Sequence, residues 1–246
     1  MMEMLQPLRA ESLKEVFVAR FEELILSGQV SIGQKLPSER ELALKLGVSR
    51  PVVHEGLLDL AVKGLVTIRP RQGAVVNDYR QEGSLALLNS LVGYHQGGLE
   101  PGLLLSLLEM RSLFEVETAR LAARRRTPEH LAELKNIVRR EEEAARSGNT
   151  PMAELDFSLH HLVAMASGNL LYPLLLNSFK DVYINLAGQF FTDPAVTPMV
   201  LDFHRSLVKA VEAGEPRRAA RIMERMLAHG RDRLLAKAGL EERRES

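Results

Sequence analysis

The chain has 246 residues, 46% of them hydrophobic and 26% charged, which suits one large or two ordinary domains at about 150 residues each. Thirty-two basic residues balance 32 acidic ones, so net charge gives no sign of a polyanionic partner, and the absence of cysteine excludes disulfides and thiolate metal sites. With no basic-then-apolar leader in "MMEMLQPLRAESL" and no apolar run near the roughly 20 residues that span a bilayer, a cytoplasmic protein with no membrane partner is expected.

In chain order, Leu13, Val16, Phe17, Phe21, Leu24 and Ile25 recur at helical spacing and stop near Gly28. Ser38 with Glu41 three positions on is a capping box, opening a short helix that buries Leu42, Ala43 and Leu46 and ends at Gly47. Ser49 is placed to cap a second helix, where Pro51 is tolerated because first-turn amides have no intrahelical partner. Val52, Val53, Leu57 and Leu60 form its inner face, and Gly64 ends it. "LVTI" and "AVV" flank "RPRQG", the pattern of a hairpin with a basic tip. Residues 1–79 therefore predict a winged helix-turn-helix DNA-binding domain, and 80–100 a linker broken at "HQGG".

Helical candidates then follow at 101–125, 128–147, 151–167, 170–190, 196–213 and 216–237, with breaks at Pro128, Gly148–Pro151, Gly168–Asn169, Pro194–Pro198 and Gly214–Pro216. The fold class expected is mainly α: the winged domain with its small β-wing, an all-helical bundle over 101–238, and a tail at 239–246.

The stretch "GVSRPVVHEGLLDL" carries the first chemistry. The second helix of a helix-turn-helix lies in the major groove, and its first-turn residues meet base edges and phosphates. Arg50 is in that turn, where a guanidinium can grip guanine O6 and N7. Residues 35–75 hold seven basic side chains against four acidic ones, a local excess of three that the whole-chain balance conceals. Arg69 and Arg71 at the wing tip suit phosphate or minor-groove contact.

The segment "LPSERELALKLGVSRPVVHEGLLDLAVKGLVTIRPRQGAVV" resembles the DNA-binding domain of the GntR family of bacterial transcription regulators. The resemblance implies that Arg40, Arg50 and Gly73 lie at the DNA, with Ser49 and His54 beside them; His54 stands where the family commonly has a further arginine. "LLEMRSLFEVETARLAA", "ELDFSLHHLVAMASGN" and "FHRSLVKAVEAGEPRRAARIM" resemble the all-helical FCD-type effector domain of the FadR subfamily. It implies a ligand-responsive regulator, a repressor acting as a homodimer on an inverted-repeat double-stranded operator, and not an enzyme.

Asp156 and His160, four residues apart, project from one helix face, and His204 starts a later helical stretch. Three such ligands can hold a divalent cation such as Zn, Ni or Mn with positions open for an organic acid. In the resembled subfamily a third histidine completes the set; here that position falls on Met226, with His229 one turn on as a substitute. The other effector expected is an acyl-CoA bound without metal, since "ELDFSLHHLVAMASGNLLYPLLLNSF" and "GQFFTDP" also resemble acyl-CoA-responsive members. Arg111 sits on an apolar helix face and needs an anion, either an effector carboxylate or an internal glutamate. Asn185 and Gln189 are the remaining pocket candidates. A metallohydrolase would need a general base, and only Glu154 lies near the metal candidates; no HExxH, phosphate loop or nucleophile elbow is present.

Overall fold

A computed structural model describes residues 12–94, 99–147 and 152–240, which form two compact units. The breaks expected at His95–Gly98 and Gly148–Pro151, and the tail beyond 240, lie outside the described residues.

In the first unit, helix α1 (Leu13–Leu26) opens on a capping box between Ser12 and Glu15 and buries Phe17, Val18, Phe21 and Ile25. Leu13 and Val16 are exposed, so the stripe is narrower than its periodicity suggests. The expected Ser38–Glu41 box opens α2 (Glu39–Leu46), and Gly47 ends it at a φ of 68°. Leu46, expected inside, is exposed.

Helix α3 (Arg50–Val62) starts at Ser49, but the Ser49 side chain makes no capping bond; only its carbonyl accepts, from the Val53 amide. Val53, Gly56, Leu57 and Leu60 are buried. Gly56 is where α1 and α3 touch, because a Cβ there would lie 2.3 Å from Phe17 Cδ1.

Strands β1 (Val66–Arg69) and β2 (Gly73–Val76) pair antiparallel from Val66↔Val76 to Arg69↔Gly73. The outer edge of β2 is paired as well: the Leu36 amide donates to Ala74 O at 2.8 Å and the Gly33 amide to Val76 O at 2.8 Å.

The stretch expected to be a linker is mostly structured. Helices α4 (Tyr79–Glu82) and α5 (Leu87–Tyr94) belong to the first unit. Ser90 Oγ donates to Glu22 on α1 at 2.8 Å, and Ser84 Oγ donates to Val62 O at 2.9 Å.

The second unit is all-helical: α6 (Pro101–Arg125), α7 (Pro128–Ser147), α8 (Met152–Ala166), α9 (Leu171–Ser178), α10 (Lys180–Phe190), α11 (Val196–Glu212) and α12 (Pro216–Lys237). The single helix expected over 170–190 is two. Phe179 leaves helical geometry (φ −122°, ψ 24°) and buries its ring edge-on to Phe114, centroids 6.1 Å apart. Tertiary packing overrides the helical periodicity at that residue. Helix α8 runs through the centre, packed against α6, α7 and α10, with Leu159, Leu162 and Val163 in the hydrophobic core. The bundle thus places Asp156 and His160 on a helix with neighbours on several sides.

Candidate functional site

Two sites emerge, one in each unit. On the first unit, Arg40, Ser49, Arg50, His54, Arg69, Arg71 and Gly73 are all exposed, as a nucleic-acid surface requires. His54 on α3 bonds Glu39 on α2 at 2.8 Å, tying the two helices of the motif together. Arg71 adopts a φ of 61°, in the left-handed region, directly after Pro70. A non-glycine residue held there costs on the order of 1–3 kcal/mol, a kind of strain that concentrates at functional tips.

In the second unit, Asp156, His160 and His204 each present a ligand atom within 4.8 Å of the others. Helix α8 supplies the first two, one turn apart, and α11 supplies His204. Each histidine is oriented from behind by a glutamate that the sequence reading missed. His160 Nδ1–H donates to Glu115 on α6, and His204 Nδ1–H donates to Glu141 on α7 at 2.9 Å. Both glutamates are essentially fully buried. A carboxylate holding one ring nitrogen aims the other, Nε2, into the site, the usual support for a metal-ligating histidine. His204 Nε2 is buried, has no hydrogen-bond partner, and lies 3.6 Å from Asp156 Oδ1. Tyr183 OH donates to the other Asp156 oxygen at 2.6 Å.

Arg111 finds an internal partner. Its Nε donates to Glu115 at 2.6 Å and its guanidinium covers the Tyr183 ring at 4.2 Å. Burial opposes ionisation of Glu115, yet Arg111 and His160 hold its carboxyl to about 2. Burial likewise pushes the His204 imidazole down, but Glu141 and Asp156 outweigh it and its pKa is raised. Burial and Asp156 push the Tyr183 phenol well up, so it stays a donor. Around this cluster three carboxyl groups, Glu115, Glu141 and Asp156, face one guanidinium, Arg111. That formal excess of negative charge is suited to a divalent cation.

A narrow cleft of about 60 Å³ opens onto Arg111, Asp156, His160 and Tyr183 and is otherwise walled mainly by apolar side chains. Met226, at the expected fourth ligand position, lines it. His229 does not join the ligand cluster; its ring packs between Phe190 and Phe203, centroids 6.1 and 6.2 Å away. Asn185 and Gln189 are not among the lining residues. Gln189 Nε2 donates to Asn185 Oδ1 at 2.8 Å, and α10 instead offers Leu186, Ala187 and Phe190 to the cleft. Glu154, the one candidate general base, is exposed and outside the cleft lining. No helix among the described residues is long and apolar enough to cross a membrane.

Residues 13–76 match the family described as bacterial regulatory proteins, gntR family, and residues 106–229 match the FCD domain. Mce2R, an HTH-type transcriptional regulator of Mycobacterium tuberculosis, is 32% identical over 237 residues, 94% of this chain and 95% of that one. The fatty acid metabolism regulator protein of Klebsiella pneumoniae is 32% identical over 192 residues, 78% of each. The solved structure of a Streptococcus agalactiae GntR protein superposes with a TM-score of 0.50 at 28% identity, over 89% of this chain and 98% of that one. A winged helix-turn-helix with exposed arginines, joined in one chain to a helical unit with a cleft, is a ligand-responsive DNA-binding transcription regulator rather than an enzyme, and the chain belongs to the GntR family with an FCD effector domain.

Proposed function

We propose that this regulator acts in the cytoplasm as a homodimeric repressor of the FadR subfamily, on a short inverted-repeat operator, released by a small organic acid. One winged helix makes few base contacts, and a two-fold dimer doubles them on a palindrome. Arg50 is assigned to a base edge and Arg40, Ser49, His54 and Gly73 to the adjoining surface, with Arg69 and Arg71 on phosphates. A single salt-dependent operator titration tests this. Arg50→Ala is expected to weaken specific binding by about 1–3 kcal/mol. Arg69→Ala with Arg71→Gly flattens the log–log salt slope by about 0.9 for each phosphate lost, on any DNA. Glycine suits position 71 because it accepts the positive φ. Wild-type footprints from the Arg50 variant, or an unchanged slope from the wing variant, sink the corresponding assignment.

For the effector, the observation that carries the reading is the partnerless buried His204 Nε2 beside Asp156 and His160. These three residues fit a Zn, Ni or Mn ion, with Glu115 and Glu141 behind the imidazoles and Met226 leaving the fourth position to water or effector. When bound, such an ion supplies positive charge for a carboxylate. Effector binding alters DNA affinity only through a cleft that differs between the DNA-competent and released states. In a dimer, a changed spacing of the two recognition helices breaks simultaneous contact, because the duplex fixes the half-site separation.

Protein purified without chelators is expected to carry near-stoichiometric Zn, Ni or Mn, and His160→Ala with His204→Ala to carry none. The relatives named fatty acid metabolism regulator favour the second reading, a metal-free acyl-CoA-responsive regulator. Metal-free protein released from its operator by a long-chain acyl-CoA establishes that alternative instead.

A further inference from the structure

Helix α12 carries an interior glycine that packing does not require. A Cβ built on Gly230 meets nothing within 4 Å, in contrast to Gly56, where Phe17 occupies that space. Glycine in a helix interior is less stable than alanine, so the empty volume is kept at a cost to the fold. Gly230 borders the cleft, together with Leu108, Leu186, Phe190, Leu227 and Leu234. Tyr183 is bonded to Asp156 and Arg111 lies over Tyr183, so apart from Arg231 the remaining wall is apolar.

We propose that Gly230 is a specificity-determining residue, holding open the path of an apolar tail, and that the effector is a monocarboxylic acid with an aliphatic chain. The carboxylate meets the Asp156, His160 and His204 cluster through its cation, and the chain runs past Gly230 along the apolar wall. This rests on the carboxylate reading above. Short hydrophilic acids leave that wall wet, whereas each methylene buried on it adds affinity.

The test is calorimetric titration of metal-loaded full-length protein with straight-chain acids from acetate to decanoate, beside Gly230→Ala. Wild type is expected to gain about fourfold in affinity per methylene until the chain reaches solvent, the ratio that corresponds to ~0.8 kcal/mol for each group buried. Gly230→Ala is expected to melt about 2–4 °C higher, from the helix-propensity gain. It should keep its metal and its acetate affinity, and lose about tenfold or more on the longest acids that wild type accepts, roughly two methylenes' worth. Acetate binding with no dependence on chain length overturns the apolar-tail assignment alone. An identical length series in Gly230→Ala overturns the role assigned to Gly230. A dicarboxylic acid that outcompetes the monocarboxylic acid of equal length also overturns the apolar-tail assignment, placing a second charge on Arg231 at the cleft. Failure of every acid, acetate included, defeats the carboxylate reading and this inference with it.

Discussion

Arg111→Met is expected to destabilise the helical unit by about 3–5 kcal/mol, the cost of leaving a buried charge without its partner. Glu115 is only 1% exposed, and its carboxyl is bonded on one oxygen by Arg111 and on the other by His160. Methionine retains much of the volume but neither the charge nor the donor, so Glu115 keeps a single partner in a dry site. Its hold on His160 then loosens, and the same substitution is expected to weaken cation retention. Arg111→Lys restores the charge but not the flat guanidinium over Tyr183, and should recover only part of the loss. Scanning calorimetry checks stability and metal analysis checks retention. A variant that melts like wild type yet ignores every acid would instead make Arg111 an effector contact, the alternative that its apolar helix face left open.

The features legible in the sequence were those set by neighbours within a turn or two. Ser38 with Glu41, the glycine at 47 and the wing turn are local chemistry, and each stands where the spacing placed it. Asp156 and His160 were legible for the same reason, since four residues along a helix fixes a shared face. The partners of the site were not. Glu115 lies 45 residues from His160 and Glu141 lies 63 from His204, each among other charged residues of its helix where one glutamate looks like one more surface charge. A signal existed for Glu115 alone: it follows Arg111 by four residues, so an arginine on an apolar face had a candidate partner one turn away.

Burial of individual apolar residues was less readable. Leu13, Val16 and Leu46 obey helical spacing yet are exposed, because periodicity fixes the direction of a stripe and not its width. Phe179 shows the opposite limit, a helix interrupted where one ring gains more from the core than the backbone loses. The glycines were opaque in kind. Gly56 serves close packing, Gly64 a left-handed turn and Gly230 open space, three reasons that one letter does not separate.

Gly64 carries the sharpest expectation for the DNA-binding unit. Gly64→Ala is expected to abolish operator binding while the helical unit still melts at its own temperature. The residue has a φ of 77°, which alone costs alanine on the order of 1–3 kcal/mol. The new Cβ would also lie 2.0 Å from Glu82 O, 2.7 Å from its carbonyl carbon and 2.8 Å from Gly83 Cα. These are backbone atoms and cannot rotate aside, so the collision adds a further cost of about 1–3 kcal/mol. The strand of chain it strikes is tied down on both sides. Asn77 Nδ2 donates to Gly64 O at 3.0 Å, the Asn77 amide to Leu65 O at 2.9 Å, and the Ser84 amide to Lys63 O at 3.2 Å. Relief therefore has to come from the junction between α3 and β1, the point that sets Arg50 on the helix against Arg69 and Arg71 on the wing. Gly47→Ala is the control: its φ is 68°, but nothing lies within 4 Å of the added Cβ, so only the conformational cost applies. Calorimetry of both variants, with operator titration, separates the two costs. Equal melting and equal binding by the two variants would mean that the segment 77–84 gives way freely and takes no part in holding the recognition helix and wing in register.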